Sequence, residues 1–379
     1  MFTSNYSPLM HSPNNQCKQI FIAATRQNDG KTMVSLGLFN AFKTKFNSVG
    51  YMKPVGQQYQ VVNGEMIDKD ALLFQKVYQL KDDLKLTNPI TVPRGFTEDY
   101  IQSGTPKTQE LALTDAYAQL TLANDFLLIE GTGHAGVGSV FDMSNAKTAS
   151  LLNAKVILVS LGGVGRCIDE IMLNKAVFDQ MGVELAGVII NKVREDKYDK
   201  VNRLVRDGLQ RQGIKVFGCI PFLDMLIKPI VRSIFEDLEG DIISEGDFGL
   251  NNTVNKCIIG DMIPHDALDC FVPGTMLIVP ANREGLIMSV LCGNLLDTEV
   301  IFYVNAIIFT CNRYPHEKVL TLIKRTYIPM MVVKEDSFSI ATKINNMIIK
   351  VKSQEAEKIA KTQELVKSYV DIDMICDSL

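Results

Sequence analysis

The 379-residue chain has no tryptophan and four histidines. Its eight cysteines, at positions 17, 167, 219, 257, 270, 292, 311 and 376, form no Cys-x-x-Cys pair, and no histidine lies at zinc-ligand spacing from them. A zinc site and the disulfide framework of a short secreted domain are therefore not expected. Reduced, buried thiols in a cytoplasmic protein are. No apolar run reaches the ~18 residues that span a bilayer. The first sixteen residues are polar and rich in Asn, Ser and Pro. They lack the apolar core of a signal peptide and the arginines of a transit peptide, and read as a mobile tail. An excess of either charge is also missing: 39 basic side chains face 43 acidic ones, for a net charge of −4. Nothing in that balance points to nucleic acid or to an anionic membrane as a partner.

What is present is an ordinary globular composition, 46% hydrophobic and 22% charged, in a chain long enough for two or three domains. Short apolar runs recur at Lys18–Ala24, Val49–Val55, Asp125–Glu130, Lys155–Leu161, Leu185–Asn191 and Lys215–Ile220. Helical spacing fills most of the gaps, as at Met33–Phe46, Ile168–Met181 and Lys197–Gln212. Nearly continuous apolar strands alternating with helices predict an α/β fold, a parallel sheet with helices on both faces. The pattern pauses over 222–255. It resumes with strands at Lys256–Asp261, Thr275–Pro280, Val300–Thr310 and Ile328–Val333, separated by helices. The expected organisation is a tail over 1–16, a first α/β domain over 17–228, a smaller α/β domain over 229–352 and a helical C-terminal tail over 353–379. That tail either packs outside or pairs with another subunit.

The segment Ala24-Thr25-Arg26-Gln27-Asn28-Asp29-Gly30-Lys31-Thr32 joins the first strand to the first helix. A loop at a helix N-terminus offers unpaired backbone N–H groups to phosphate oxygens. Gly30 permits close backbone approach, Lys31 can reach the β- and γ-phosphates, and the Thr32 hydroxyl can ligate Mg²⁺. Asp29 lies in the same loop, where its charge must point away from phosphates or meet the metal. The usual leading glycine is absent. Asp70 and Glu130 fall at loop or strand ends, where such a sheet places ligands; with Thr32 they could hold Mg²⁺, which prefers oxygen. Asp68 could take the place of Asp70. Asn191 ends a strand and could also cap the following helix. His134 follows a Gly-rich loop and is either near phosphate or structural.

The nine-residue loop is similar to that of dethiobiotin synthetases, the BioD-like family. Four further segments resemble the family's motifs in order: Tyr51-Met52-Lys53-Pro54-Val55, Asp68-Lys69-Asp70-Ala71-Leu72, Ile129-Glu130-Gly131-Thr132-Gly133 and Val188-Ile189-Ile190-Asn191-Lys192. The resemblance implies ATP and Mg²⁺ as cofactors. It implies that Lys31 and Lys53 act on phosphate and substrate, that Asp29, Gly30, Lys31, Thr32 and Asn191 bind nucleotide with Asn191 at the adenine edge, and that Thr32, Asp70 and Glu130 hold the metal. It also implies a homodimer or higher oligomer.

The segment Pro273–Glu284 resembles the DRTGG module, which lies between BioD-like and catalytic domains in long bacterial phosphate acetyltransferases. The naming motif itself is not intact, and Arg283 is the candidate anion-gripping residue. With the chain ending at Leu379, acetyl transfer is not expected. Two function classes lead, ahead of a third in which the protein is structural or interacting and its site a relict. One is an ATP/Mg²⁺-binding regulatory or sensory protein that reports to a protein partner or metabolite through its DRTGG-like domain. The other is an ATP-dependent ligase that phosphorylates a carboxylate or carbamate, as in dethiobiotin or cobyrinate-diamide synthesis. Gly56-Gln57-Gln58 replaces the small residues that follow the family's Lys-Pro motif, which argues against the dethiobiotin substrate.

Overall fold

The computed structural model describes residues 17–246, 249–295, 304–326, 328–347 and 349–379. The expected tail over 1–16 and the first residues of the expected strand at 300–310 lie outside the described residues. The chain forms two compact units. One comprises the residues up to Leu223 together with Val351–Leu379; the other is Asp224–Lys350. The second unit is thus an insertion between two parts of the first.

The first unit is built on six strands: β1 (Lys18–Ala24), β2 (Val49–Met52), β3 (Phe126–Glu130), β4 (Val156–Leu161), β5 (Leu185–Val193) and β6 (Val216–Pro221). They lie in the order β6-β5-β4-β1-β3-β2, and every pairing is parallel. All five residues of β3 are buried, as are Ile20–Ala24 of β1. That is what a sheet covered on both faces requires, and it is why these strands read as unbroken apolar runs. The helices used below are α1 (Lys31–Phe42), α2 (Lys69–Tyr78), α3 (Gly165–Gln180), α4 (Tyr198–Gln210) and α5 (Ala356–Tyr369).

The α1 helix is buried almost all round, through Val34–Phe39 and Phe42. Such a helix needs cover on a second face. That cover is α5, which contributes the stripe Ile359, Thr362, Leu365 and Val366. Gly37 makes the approach close, since a Cβ there would stand 2.2 Å from Val366 Cγ2. Beyond α5 the chain reaches the edge strand β6, where Val370 forms an antiparallel bridge with Gly218 and the Asp371 N–H donates to the Phe217 carbonyl at 2.9 Å. This protects the open edge of the sheet. Gly37→Val is expected to lift α5 from α1 and cost about 1–3 kcal/mol through overpacking. Limited proteolysis should then cut ahead of residue 356 faster than in the wild type.

Among the described residues the second unit holds five strands: β7 (Gly240–Ser244), β8 (Lys256–Ile259), β9 (Thr275–Pro280), β10 (Val304–Thr310) and β11 (Met330–Val333). Their order is β7-β11-β10-β9-β8; β8 to β11 are parallel and β7 is an antiparallel edge. β7 falls in the stretch that the sequence pattern reads as a pause. Its apolar residues are two isoleucines, and Ile242 is exposed, so it gives no buried-strand signature.

Candidate functional site

The phosphate loop bends between β1 and α1 with left-handed backbone at Asn28 (φ 66°) and Gly30 (φ 90°). Asparagine tolerates that region and glycine adopts it freely. Gly30 serves a second purpose: a Cβ there would meet Asn191 Nδ2 at 2.2 Å. Gly30 is also the N-cap of α1, and no side chain caps that helix end. The first-turn N–H groups of such an end are the usual anion donors.

Ala24 or Thr25 stands where the leading glycine is absent, and Thr25 bonds within the loop. Its hydroxyl donates to Asp29 Oδ2 at 2.7 Å and lies 3.1 Å from Ser160 Oγ. Asp29 Oδ2 also accepts from the Arg26 N–H at 2.9 Å. The Asp29 carboxylate is therefore turned inward and buried. Burial pushes its pKa up, while the bonds from Thr25 and Arg26 oppose the shift. Those bonds brace the loop from within.

Three of the candidate residues, Lys31, Thr32 and Lys53, converge on the carboxylate of a fourth, Glu130. Glu130, at the end of β3, is fully buried. Its Oε1 accepts from the Thr32 hydroxyl at 2.8 Å and from Lys53 Nζ at 3.1 Å, and stands 3.7 Å from Lys31 Nζ. Its Oε2 accepts from the Tyr51 hydroxyl at 3.3 Å. Lys53 Nζ also donates to Asp70 Oδ2 at 2.8 Å and to the Gly131 carbonyl at 3.3 Å. An ammonium has three N–H donors, so these three acceptors satisfy Lys53. Burial alone would depress its pKa. Asp70, then Glu130 and Asp68, more than offset that and hold it above the ordinary lysine value. Burial, followed by the nearby Glu130 and Asp70 charges, raises the Tyr51 hydroxyl well above its ordinary range, so it stays protonated as a donor.

Local sequence explains the placement. Asp68 caps α2, accepting from the Asp70 N–H at 2.9 Å and the Gln58 N–H at 3.2 Å. With those bonds it holds the turn, which leaves Asp70 on the first turn of α2 as the carboxylate facing Lys53. Asn88 fixes both sides by donating to the Lys53 carbonyl and accepting from the Asp68 N–H, each at 2.9 Å. Tyr51 stacks on Phe74 of α2 with centroids 3.7 Å apart. Asn145 braces the loop after Glu130, donating to the Thr132 carbonyl at 2.8 Å and the His134 carbonyl at 2.7 Å.

Asn191 is placed elsewhere, on the phosphate loop itself, where its Nδ2 donates to the Asp29 carbonyl at 2.9 Å. His134 Nδ1 accepts from the Gly136 N–H at 3.2 Å. In the second unit Arg283 spends one nitrogen on the carbonyls of Asp261 and Met262, at 2.6 and 2.7 Å. Sequence reasoning did not single out Thr25, Tyr51, Asn88, Asn145 or Lys192. Tyr51 and Lys192 stood inside recognised motifs, but a residue that holds another residue leaves no motif of its own.

Magnesium takes oxygen ligands at about 2.0–2.1 Å in an octahedron, so ligands on adjacent corners stand about 3 Å apart. The Thr32 and Glu130 oxygens are 2.8 Å apart, and both are hard donors. Among the described residues no cluster of three or more His, Cys, Asp or Glu could hold a metal unaided. The donor set fits an ion that keeps waters and takes further oxygens from phosphate.

Residues 18–229 match the family described as an AAA domain, which accounts for more than half of the chain. The chain belongs to that family. Its AAA domain is of the BioD-like P-loop kind, and a DRTGG domain follows over residues 233–347. The phosphate acetyltransferase of Pseudomonas putida is 24% identical over 365 residues, covering 93% of this chain and 50% of that enzyme. The phosphate acetyltransferase of Nitrosomonas europaea is 22% identical over 366 residues, covering 94% and 51%. The chain therefore spans about half the length of these curated relatives. Among solved structures, a plasmid partition protein from Borrelia burgdorferi bound to AMPPNP superimposes with a TM-score of 0.37 at 14% identity, covering 56% of this chain and 89% of that one. No described helix is long and apolar enough to cross a membrane.

Proposed function

We propose that the AAA domain binds ATP with Mg²⁺, and that the protein is regulatory or sensory, its DRTGG domain passing occupancy of the site to a protein partner, a metabolite or self-assembly. The observation that carries this reading is the uncapped start of α1, with Lys31 and Thr32 both turned onto Glu130. In that arrangement Glu130 stands in for phosphate at Lys31, and the Thr32 proton stands in for the metal. Nucleotide and Mg²⁺ would exchange for these contacts at little cost in reorganisation. Lys31, Gly30 and Thr32 would hold phosphate, Thr32, Glu130 and Asp70 the metal, and Asn191 the loop. A regulator of this kind reports only through differential affinity for two states.

A ligase of the dethiobiotin or cobyrinate-diamide type would use Lys53 as a phosphate-directed cation. The three contacts of Lys53 to Asp70, Glu130 and Gly131 favour a fixed structural charge instead. The test is thermal denaturation of the full chain with Mg²⁺ and ATP. Binding at a hundredfold over Kd stabilises by about 2.7 kcal/mol. An unchanged midpoint at millimolar ATP would sink both readings, and ADP release stimulated by a carboxylic substrate would favour the ligase over the regulator.

A further inference from the structure

The end of β5 carries Asn191 and Lys192, and both side chains grip the phosphate loop. Asn191 Nδ2 donates to the Asp29 carbonyl at 2.9 Å, and Lys192 Nζ donates to the Asn28 carbonyl at 2.8 Å. Successive side chains on a regular strand point to opposite faces. These two share a target because Lys192 has left-handed backbone, φ 55°. A lysine in that region carries strain, which persists only where the surroundings over-determine it. The fit is close: a Cβ at Gly30 would lie 3.4 Å from Lys192 Cε.

The two bonds fix the direction of two peptide groups. No peptide bond among the described residues is cis, and in a planar trans peptide the C=O and N–H point opposite ways. With the Asn28 and Asp29 carbonyls turned to β5, the N–H groups of Asp29 and Gly30 turn away from it. Successive N–H groups presented to one side make an anion-binding concavity.

Charge supplies the second part. Lys31 faces Glu130, and Lys53 faces Asp70 and Glu130. The hydrogen-bond acceptor of Lys192 is an uncharged carbonyl. Burial depresses its pKa, with Asp29 as the opposing influence. A half-buried ammonium with a neutral acceptor, directly behind the loop whose N–H groups form the cradle, gains from an incoming anion.

Resting on the nucleotide reading above, we infer that Lys192 is a further residue of that site, holding the loop through Asn28 and lending positive charge to a bound nucleoside polyphosphate. The test is calorimetric titration of the full chain with ATP, ADP and AMP in Mg²⁺, for the wild type, Lys192→Met and Lys192→Arg. Lys192→Met keeps the aliphatic stem and removes the charge. The expected result is at least a tenfold loss of ATP affinity, a smaller loss for AMP, a shallower dependence of ATP affinity on salt, and recovery in Lys192→Arg. A Lys192→Met variant that binds ATP like the wild type overturns the inference alone. Equal losses for all three nucleotides, with a lower nucleotide-free midpoint, also overturn it and leave a purely structural brace. A wild type that binds no nucleotide overturns the nucleotide reading, and this inference with it.

Discussion

Glu130→Ala is expected to lower the unfolding free energy by about 3 kcal/mol, because it strands buried charge. Glu130 is fully buried and receives Thr32, Lys53 and Tyr51 while facing Lys31. Removing it leaves the buried Lys53 ammonium with Asp70 as its remaining carboxylate partner in direct contact and leaves the Tyr51 hydroxyl without that acceptor. Chemical denaturation measures the loss. Glu130→Leu combined with Lys53→Met should be less damaging than the two single changes added together, since replacing a buried pair by apolar groups is often neutral. Strict additivity would show that the two residues do not act as a pair. The Mg²⁺-dependent part of any nucleotide stabilisation should also disappear in Glu130→Ala.

Lys31→Ala is expected to weaken ATP binding by about 10- to 100-fold, the equivalent of losing one charge-assisted bond worth about 1.5–3 kcal/mol. Its effect on the nucleotide-free protein should be smaller than that of Glu130→Ala, because Glu130 keeps Lys53, Thr32 and Tyr51. Titration of both proteins with ATP, alongside their midpoints without nucleotide, separates the two effects. The contrast with Glu130→Ala is the informative feature: one substitution acts mainly on binding, the other on folding and binding together.

The parallel sheet was legible because its strands are buried on both faces and so read as unbroken apolar runs. The glycine-lysine-threonine loop was legible because its chemistry demands those residue types in that order. The convergence of Lys53, Asp70 and Glu130 came from matched motifs, since no local pattern shows that residues 53, 70 and 130 meet. What the sequence hid has physical reasons. β7 is short and half exposed, so it carries no apolar run. The destination of the C-terminal helix depended on a second buried face of α1 and on the small volume of Gly37. Residues 17 to 228 read as one contiguous domain, whereas the compact unit draws on Val351–Leu379 as well. Thr25 and Asp29 pair across the loop, which explains how it keeps its turn without a leading glycine. The pairing appears in sequence only as two polar residues four apart.

The central claim is that the phosphate loop from Ala24 to Thr32 binds ATP together with Mg²⁺. Calorimetric titration of the full chain with ATP, with Mg²⁺ and again after chelation, tests it most directly. Saturable binding at one site per chain, weakened by chelation and by Lys31→Ala, is the predicted result. No binding heat and an unchanged thermal midpoint at millimolar ATP with Mg²⁺ would contradict it.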